Sequence, residues 1–199
     1  MQYKALVFDF FGVLSSEVAP AWFQDHVAGT DLGALKDSYV SPADKGMVSA
    51  EKLFDQLSGL SGVPAAKIPE QWLGLVRINA ELLSFIRESL AGKYKLGILT
   101  NVVSAFFREA LLRHPLINAF DAIVVSSEIG HAKPEPEAYT AILKALAVKP
   151  HEALMIDDNP ENVAGAKAAG MGGILFTSTE QLRRDLRRNS APGQLSLTP

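Results

Sequence analysis

Five short apolar runs, each closed by side chains that carry oxygen, constrain this chain more than any other feature. Ala5-Leu6-Val7-Phe8 ends in Asp9, Lys95-Leu96-Gly97-Ile98-Leu99 in Thr100-Asn101, and Ala122-Ile123-Val124-Val125 in Ser126-Ser127. Ala153-Leu154-Met155-Ile156 ends in Asp157-Asp158, and Gly173-Ile174-Leu175-Phe176 in Thr177-Ser178. A strand with one wet face alternates apolar and polar residues. Runs without that alternation, separated by helical periodicity, read as strands of a parallel sheet covered on both faces. In an open sheet of this kind a ligand crevice lies at the carboxyl ends of the strands. The pattern therefore gathers Asp9, Thr100, Asn101, Asp157 and Asp158 around one crevice. Carboxylates crowded together repel unless a cation lies among them, and hard oxygen ligands suit magnesium.

Helical patterns fill the intervals from residue 80 onward. Residues 80–91 carry Leu82, Leu83, Phe85, Ile86 and Leu90 at helical spacing and stop at Gly92. Ser104 is the expected cap of a helix through Arg113, with Phe106, Phe107, Ala110 and Leu111 on its apolar side. Residues 136–148 give another helix, striped by Tyr139, Ile142, Leu143 and Leu146. Asn159-Pro160 reads as a cap followed by proline at the first helical position, and that helix stops at Gly170. Ser178 and Gln181 resemble a capping box for a last helix.

Residues 15–79 differ. They show no strand pattern, only helix-like stretches at 21–27, 32–39, 50–57 and 66–76 split by Gly and Pro. A plain crossover between parallel strands needs far less chain. The expected fold is α/β: a Rossmann-like three-layer αβα core with a parallel sheet, from residues 1–14 and 80–199, and a small inserted α-helical cap at 15–79. Trp22 and Trp72 are expected in the packing of that cap. The Ser-, Pro- and Gly-containing tail, 189–199, is expected to be peripheral. Arg183, Arg184, Arg187 and Arg188 are interleaved with Leu182, Asp185 and Leu186, which marks a solvated helix face rather than a basic patch.

Composition narrows the partners. Net charge is −3, from 19 basic and 22 acidic residues, so neither nucleic acid nor an anionic membrane is an expected partner. The absence of cysteine removes disulfides, thiolate zinc sites and cysteine nucleophiles. No apolar run approaches the roughly 18 residues of a membrane-spanning helix. The chain opens directly into a strand pattern, so a cytoplasmic protein with a small-molecule ligand is expected. Oligomeric state is not legible.

A phosphoryl-transfer site needs a nucleophile, a cation, and donors for the phosphoryl oxygens. Asp9 can attack phosphorus and form an aspartyl-phosphate that water hydrolyses. Gly12 permits a tight chain reversal above it. Thr100 offers a hydroxyl, and backbone N–H groups around Asn101 can face an anion. Lys133, ahead of Pro134-Glu135-Pro136 and a helix start, can hold Asp9 ionised and grip the phosphoryl group. Asp157 and Asp158 complete a magnesium shell.

With those residues in place, the chain resembles the haloacid dehalogenase-type (HAD) hydrolase superfamily, most of whose members are phosphatases. The matching stretches are VFDFFGVL at 7–14, ILTN at 98–101, AKPEPEAY at 132–139 and MIDDNPENVAGAKAAGM at 155–171. The insert matches that superfamily's C1-type cap in position, and KGMVSAE at 45–51 resembles a Gly-x-x-Ser-x-Glu segment of such caps. The resemblance implies that Asp9 is the nucleophile and that Lys133 acts with it. It implies that Asp9, the Phe11 backbone carbonyl and Asp157 hold Mg2+, supported by Asp158. Thr100, Asn101 and Lys133 would bind the phosphoryl group of a small phosphorylated substrate, possible examples being sugar phosphates.

The first motif departs from the superfamily's usual Asp-x-Asp: the second aspartate, which protonates the leaving oxygen and then activates water, is Phe11. Positioned acid-base catalysis is worth typically ~100- to 10,000-fold. Three readings follow: a phosphatase whose leaving group needs little protonation; a 2-haloacid dehalogenase, since halide leaves without a proton; or a non-catalytic or weakly active member that binds a phosphorylated ligand. Retention of Asp157-Asp158 favours the first over the second. Retention of Asp9 and Lys133 favours it over the third. His131, two residues before Lys133, could reach the crevice as a replacement acid-base but is expected to be solvated; Lys45 could reach it from the cap but is expected to be a surface lysine.

Overall fold

The computed structural model describes residues 3–27, 29, 31–114 and 119–190. Among them five strands form one parallel sheet: β1 (Ala5–Phe8), β2 (Lys95–Thr100), β3 (Ala122–Val125), β4 (Ala153–Asp157) and β5 (Gly172–Leu175). The order is β3-β2-β1-β4-β5, so β1 lies in the centre with Ala5 opposite Lys95 on one side and Ala153 on the other. The parallel, doubly covered sheet expected from the apolar runs is the one observed.

Side chains alternate across the sheet and divide the core in two. Leu6, Phe8, Leu96, Ile98, Leu154 and Ile156 belong to one apolar cluster, which continues without a break into Trp22, Phe23, Leu53 and Leu57 of the insert. Ala5, Val7, Leu99 and Met155 belong to the other, with Ala138, Tyr139 and Ile142. Each buried aliphatic side chain contributes about 1.5–3 kcal/mol. Gly97 is needed for the second layer, because a Cβ there would lie 2.9 Å from Leu146 and 3.1 Å from Ile142.

Between β1 and β2 the chain runs through α1 (Ala19–His26), α2 (Leu32–Leu35), a π-helical turn (Lys36–Val40), α3 (Ser41–Asp44), α4 (Ala50–Ser61) and α5 (Ile68–Leu75). Its two ends are laced together: Ser16 N–H donates to the Arg77 carbonyl at 2.9 Å, and Asn79 N–H to the Leu14 carbonyl at 2.9 Å. Then follow α6 (Ala80–Phe85), which ends in a second π-helical turn (Ile86–Leu90), and α7 (Ser104–Arg113) after β2. The short α8 (Ser126–Ile129) follows β3, α9 (Pro136–Leu146) and α10 (Pro160–Ala168) flank β4, and α11 (Thr179–Ser190) closes the described chain.

Two expectations about helix ends need correction. Ser104 does not cap α7; it is the first helical residue, Val103 holds the cap position, and the Ser127 hydroxyl accepts the Ser104 N–H at 2.8 Å. The helix expected over 136–148 ends at Leu146, where Ala147 turns left-handed at φ 50°. Asn159 caps α10 as expected, accepting from Glu161 N–H at 2.8 Å, and Pro160 opens it. Ser178 accepts from Gln181 N–H, while the Gln181 side chain reaches back to Thr177 N–H. Arg184 pairs with Glu180 on the outer face of α11, and Arg183 stacks over Phe85 at 4.1 Å, which ties that helix to α6. From Ala191 the expected tail lies outside the described residues. No helix among those residues is long and apolar enough to cross a membrane.

Candidate active site

Asp9 leaves β1 with its N–H still bonded to the Ile156 carbonyl at 2.9 Å, so β4 fixes where its side chain starts. One carboxyl oxygen accepts from Phe10 N–H at 2.6 Å. The other accepts from the Lys133 ammonium at 2.9 Å. The same ammonium lies 2.7 Å from Asp157 and is fully buried, as is the Asp157 side chain. Asp157 is oriented from α10: its carboxyl accepts from Asn159 N–H at 2.9 Å and from the Asn162 amide at 3.0 and 3.2 Å. Oxygens of Asp9, Asp157 and Asp158 all lie within 4.8 Å of one another.

Charge and burial oppose each other here. Burial pushes the Asp9 carboxyl well above the ordinary carboxylate range; Lys133 opposes this and Asp157 and Asp158 add to it. Burial pulls Lys133 downward, but Asp9 and Asp157 outweigh it and the net displacement is upward. Asp158, half-buried, is pushed up by burial and by Asp157. Three carboxyls therefore share one buried ammonium, an excess of negative charge that hard oxygen donors resolve with a divalent cation. The donor set fits magnesium.

Thr100 is fully buried, and its hydroxyl has no hydrogen-bond partner among the described residues. A buried hydroxyl without a partner costs about 1–3 kcal/mol, and an incoming oxyanion would satisfy it. The Asn101 side chain bonds to backbone. Its side chain accepts from Lys133 N–H at 2.8 Å and donates to the Lys133 carbonyl at 2.8 Å, clamping the loop that presents the lysine. Gly12 turns the chain at φ +82°, and a Cβ there would lie 2.1 Å from an Asp158 oxygen. Glycine is thus required twice, for its backbone and for the carboxyl it shelters. Phe11 stacks on Phe106 at a centroid distance of 6.1 Å and offers no proton.

The strand ends do not contribute equally. Oxygens that close β1 and β4 meet in the crevice, and Asn101, after β2, lines it. Those that close β3 hold neighbouring chain, with the Ser126 hydroxyl accepting from Val102 N–H at 2.9 Å and Ser127 from Ser104 N–H. His131 faces Glu135 at 3.1 Å and Glu137 at 3.9 Å, outside the crevice.

The crevice opens into a cavity of about 730 Å3 that contains residues sequence reasoning missed. Lys36, Glu17 and Asp44 line it from the insert, and Trp72 lines it beside Phe106; Lys45, expected on the surface, lines it too and pairs with Glu135. Burial drives Asp44 up to about 7, with Lys36 opposing and Glu17 reinforcing. Glu17, exposed to the cavity yet surrounded by protein, is raised by burial, against the pull of Lys36. Trp22 stays in the packing as expected, stacked on His26 and donating to Gln71 at 2.8 Å. Asn162 was also missed, although its place in the first turn of α10 was a usable signal.

A parallel sheet with an aspartate directly after its central strand, bridged by a buried lysine to a second aspartate, is the arrangement of one hydrolase class. The family model for haloacid dehalogenase-like hydrolases matches residues 3–170, and the chain belongs to that family. The sesquiterpene phosphatase astK of Aspergillus oryzae is 28% identical over 193 residues, covering 94% of this chain and 96% of that protein. A HAD family enzyme of Bacteroides thetaiotaomicron in a magnesium complex superimposes with TM-score 0.77 at 22% identity, covering 94% of this chain and all of that one. The L-2-haloacid dehalogenase of Xanthobacter autotrophicus superimposes with TM-score 0.67 at 24% identity, covering 96% of this chain and 85% of that one. At these identities the two structures share the fold; phosphatases are found among the sequence relatives.

Proposed function

We propose that this hydrolase is a magnesium-dependent phosphatase for a small phosphomonoester, with residues 15–79 as its cap. The observation that carries the reading is the cluster of Asp9, Asp157 and Asp158 around a single buried lysine. Displacement of a halide calls for a nucleophile but not for two further carboxylates, whose mutual repulsion is a cost without a cation. A phosphoryl group brings negative charge into the same space and calls for positive charge around it.

Asp9, Asp157 and Asp158 would hold the magnesium, with the Phe11 backbone carbonyl. When bound, the ion supplies the positive charge that offsets the phosphoryl oxygens and keeps Asp9 ionised at neutral pH. The Asp9 carboxylate attacks phosphorus, the bond to the leaving oxygen breaks with its electron pair on that oxygen, and an aspartyl-phosphate remains. Water then attacks phosphorus, releasing phosphate and restoring the carboxylate. Lys133 holds a phosphoryl oxygen while bridging Asp9 and Asp157, and the Thr100 hydroxyl donates to another. Phe11 supplies no proton, so turnover is fastest for leaving groups that depart as stable anions or take their proton from solvent.

Phosphate release from a panel of phosphomonoesters, with and without magnesium, tests this on the wild type and Asp9→Asn. Release that needs magnesium and disappears in Asp9→Asn is expected. Turnover retained by Asp9→Asn would sink the assignment, and magnesium-independent chloride release from a 2-haloacid would replace it with dehalogenation.

A further inference from the structure

The cavity wall beside Asp9 differs on the two sides of β1. Strands β2 and β4 flank β1 on opposite sides. After β4 the lining is polar, with Asp158, Asn159 and Asn162. After β2 it is mainly apolar, with Val102, Val103 and Phe106. Asn101 also follows β2, but its amide is taken up by the Lys133 backbone. Phe106 joins two further lining rings to this side. It stacks on Phe11 at 6.1 Å with the planes 19° apart, and it meets Trp72 edge-on at 5.4 Å. The Trp72 indole nitrogen is buried, without a hydrogen-bond partner among the described residues, so Trp72 meets the cavity through ring carbon.

Phe11 stands at the reacting end of that wall. It follows Asp9 by two residues, so their Cα atoms are no more than about 7 Å apart. Its neighbour Gly12 rests against Asp158, where an added Cβ would lie 2.1 Å from a carboxyl oxygen. Phe11 itself is only partly buried, whereas the rings that hold it are buried. Phe106 stacks on it, and Phe10 meets it at 4.9 Å with the planes 80° apart. Phe10 is pinned in turn by Phe107 at 5.0 Å. A ring fixed in this way needs little further ordering when a ligand arrives. Any apolar side chain at Phe11 would lack a proton to give; an aromatic one adds a surface of defined geometry.

We propose that Phe11, backed by Phe106 and Trp72, binds an aromatic leaving group, and that the preferred substrates are monophosphates of phenols. This deepens the phosphatase reading and rests on it. Two requirements meet in that class. Phe11 gives the departing oxygen no proton, and a phenol ionises at about pH 10, so its oxygen leaves as an anion far more readily than that of an alkanol. The phosphorus–oxygen bond breaks with its electron pair on the phenol oxygen, which then takes a proton from solvent. The same leaving group is a flat ring, and aromatic pairs form offset-stacked or edge-to-face. The cavity of about 730 Å3 is of the size that takes small organic ligands.

The test reads binding apart from turnover. Phenyl phosphate and cyclohexyl phosphate are titrated calorimetrically at pH 8 into Asp9→Asn protein with magnesium. Both esters are dianions there, and they differ in the aromaticity of one ring. Phenyl phosphate should bind about two- to tenfold more tightly, the worth of an aromatic pair. Adding Phe11→Leu should remove that preference, and adding Phe11→Tyr should retain it. Inorganic phosphate, titrated into each variant, checks that the phosphate site is intact. If Phe11→Leu no longer binds it, Phe106→Leu makes the same comparison and should lower the preference. Equal affinity for the two esters, or a preference untouched by the leucine variants, overturns the platform. Acetyl phosphate, whose leaving group departs readily but carries no ring, judges the phosphatase reading separately in the wild type. Its magnesium- and Asp9-dependent hydrolysis without a phenyl preference keeps the phosphatase and removes the platform. A phenyl preference that needs the Phe11 ring, with neither ester nor acetyl phosphate hydrolysed, does the reverse.

Discussion

Asp44→Asn should stabilise the protein, and by an amount that grows with pH. Burial carries the Asp44 carboxyl from an ordinary 3.8 to about 7, with Lys36 opposing the change and Glu17 adding to it. Between those values the folded chain holds a proton that the unfolded chain has released. Stability therefore falls as pH rises from about 4 to about 7, and is lowest where both states are ionised. One pH unit is worth about 1.4 kcal/mol, so the ionised carboxyl costs the fold about 4 kcal/mol at pH 8. Asn keeps the shape and cannot ionise. Urea unfolding of both proteins in EDTA at pH 4, 5, 6, 7 and 8 gives the difference directly. The variant's advantage should be near zero at pH 4, apart from a constant offset, and about 4 kcal/mol larger at pH 8. Asp9, Glu17 and Asp158 are also raised, but their slopes are common to both proteins and largely cancel in the difference. Relief of Glu17 in the variant acts in the same direction. Parallel curves would refute the reasoning, because Asp44 would then titrate alike in both states. A variant less stable at pH 8 would show that Asp44 is paired while ionised.

Lys133→Met removes the ammonium that bridges Asp9 and Asp157 at 2.9 and 2.7 Å. Breaking a buried pair costs about 3–5 kcal/mol, and urea unfolding in EDTA should show that loss at pH 8 and a smaller one at pH 5, where Asp9 keeps a proton; an equal loss at both would argue against the buried charge cluster. Gly12→Ala places a methyl 2.1 Å from an Asp158 oxygen at φ +82°. A left-handed alanine costs about 1–2 kcal/mol, and the displaced Asp158 should weaken magnesium affinity by calorimetry; an unchanged affinity would separate Asp158 from the metal.

The strands were legible because burial on both faces leaves no polar residue inside a run. Their parallel order then brought the ends of β1 and β4 side by side, where Asp9 and Asp157 meet at Lys133. What stayed hidden depended on contacts between distant segments. Ser104 has the composition of a cap, yet Ser127, brought in by the neighbouring strand, performs that service for α7. Asn101 follows a strand like any ligand-facing residue, yet its amide is occupied by the Lys133 backbone. Asp44 falls between the helix-like stretches at 32–39 and 50–57 and carried no signal of its own; α3 places it among the residues that line the cavity. The Gly46 and Ser49 pattern was visible as a motif; its physical content is a contact with the Ser127 carbonyl and a cap on α4, where Ser49 accepts from Lys52 N–H at 3.2 Å.

The central position of β1 also bears on biosynthesis. The strand that leads to Asp9 is made before both of its partners, which come much later in the chain, Lys95 facing Ala5 on one side and Ala153 on the other. Until β4 has emerged, one edge of β1 is unpaired, and Asp9 lacks the bond from its N–H to Ile156 that sets its position. The helices of residues 15–79 are meanwhile complete, in a growing chain whose long-range pairings form slowly. A nascent chain released before Asp157 would thus carry Asp9 without the strand that aims it.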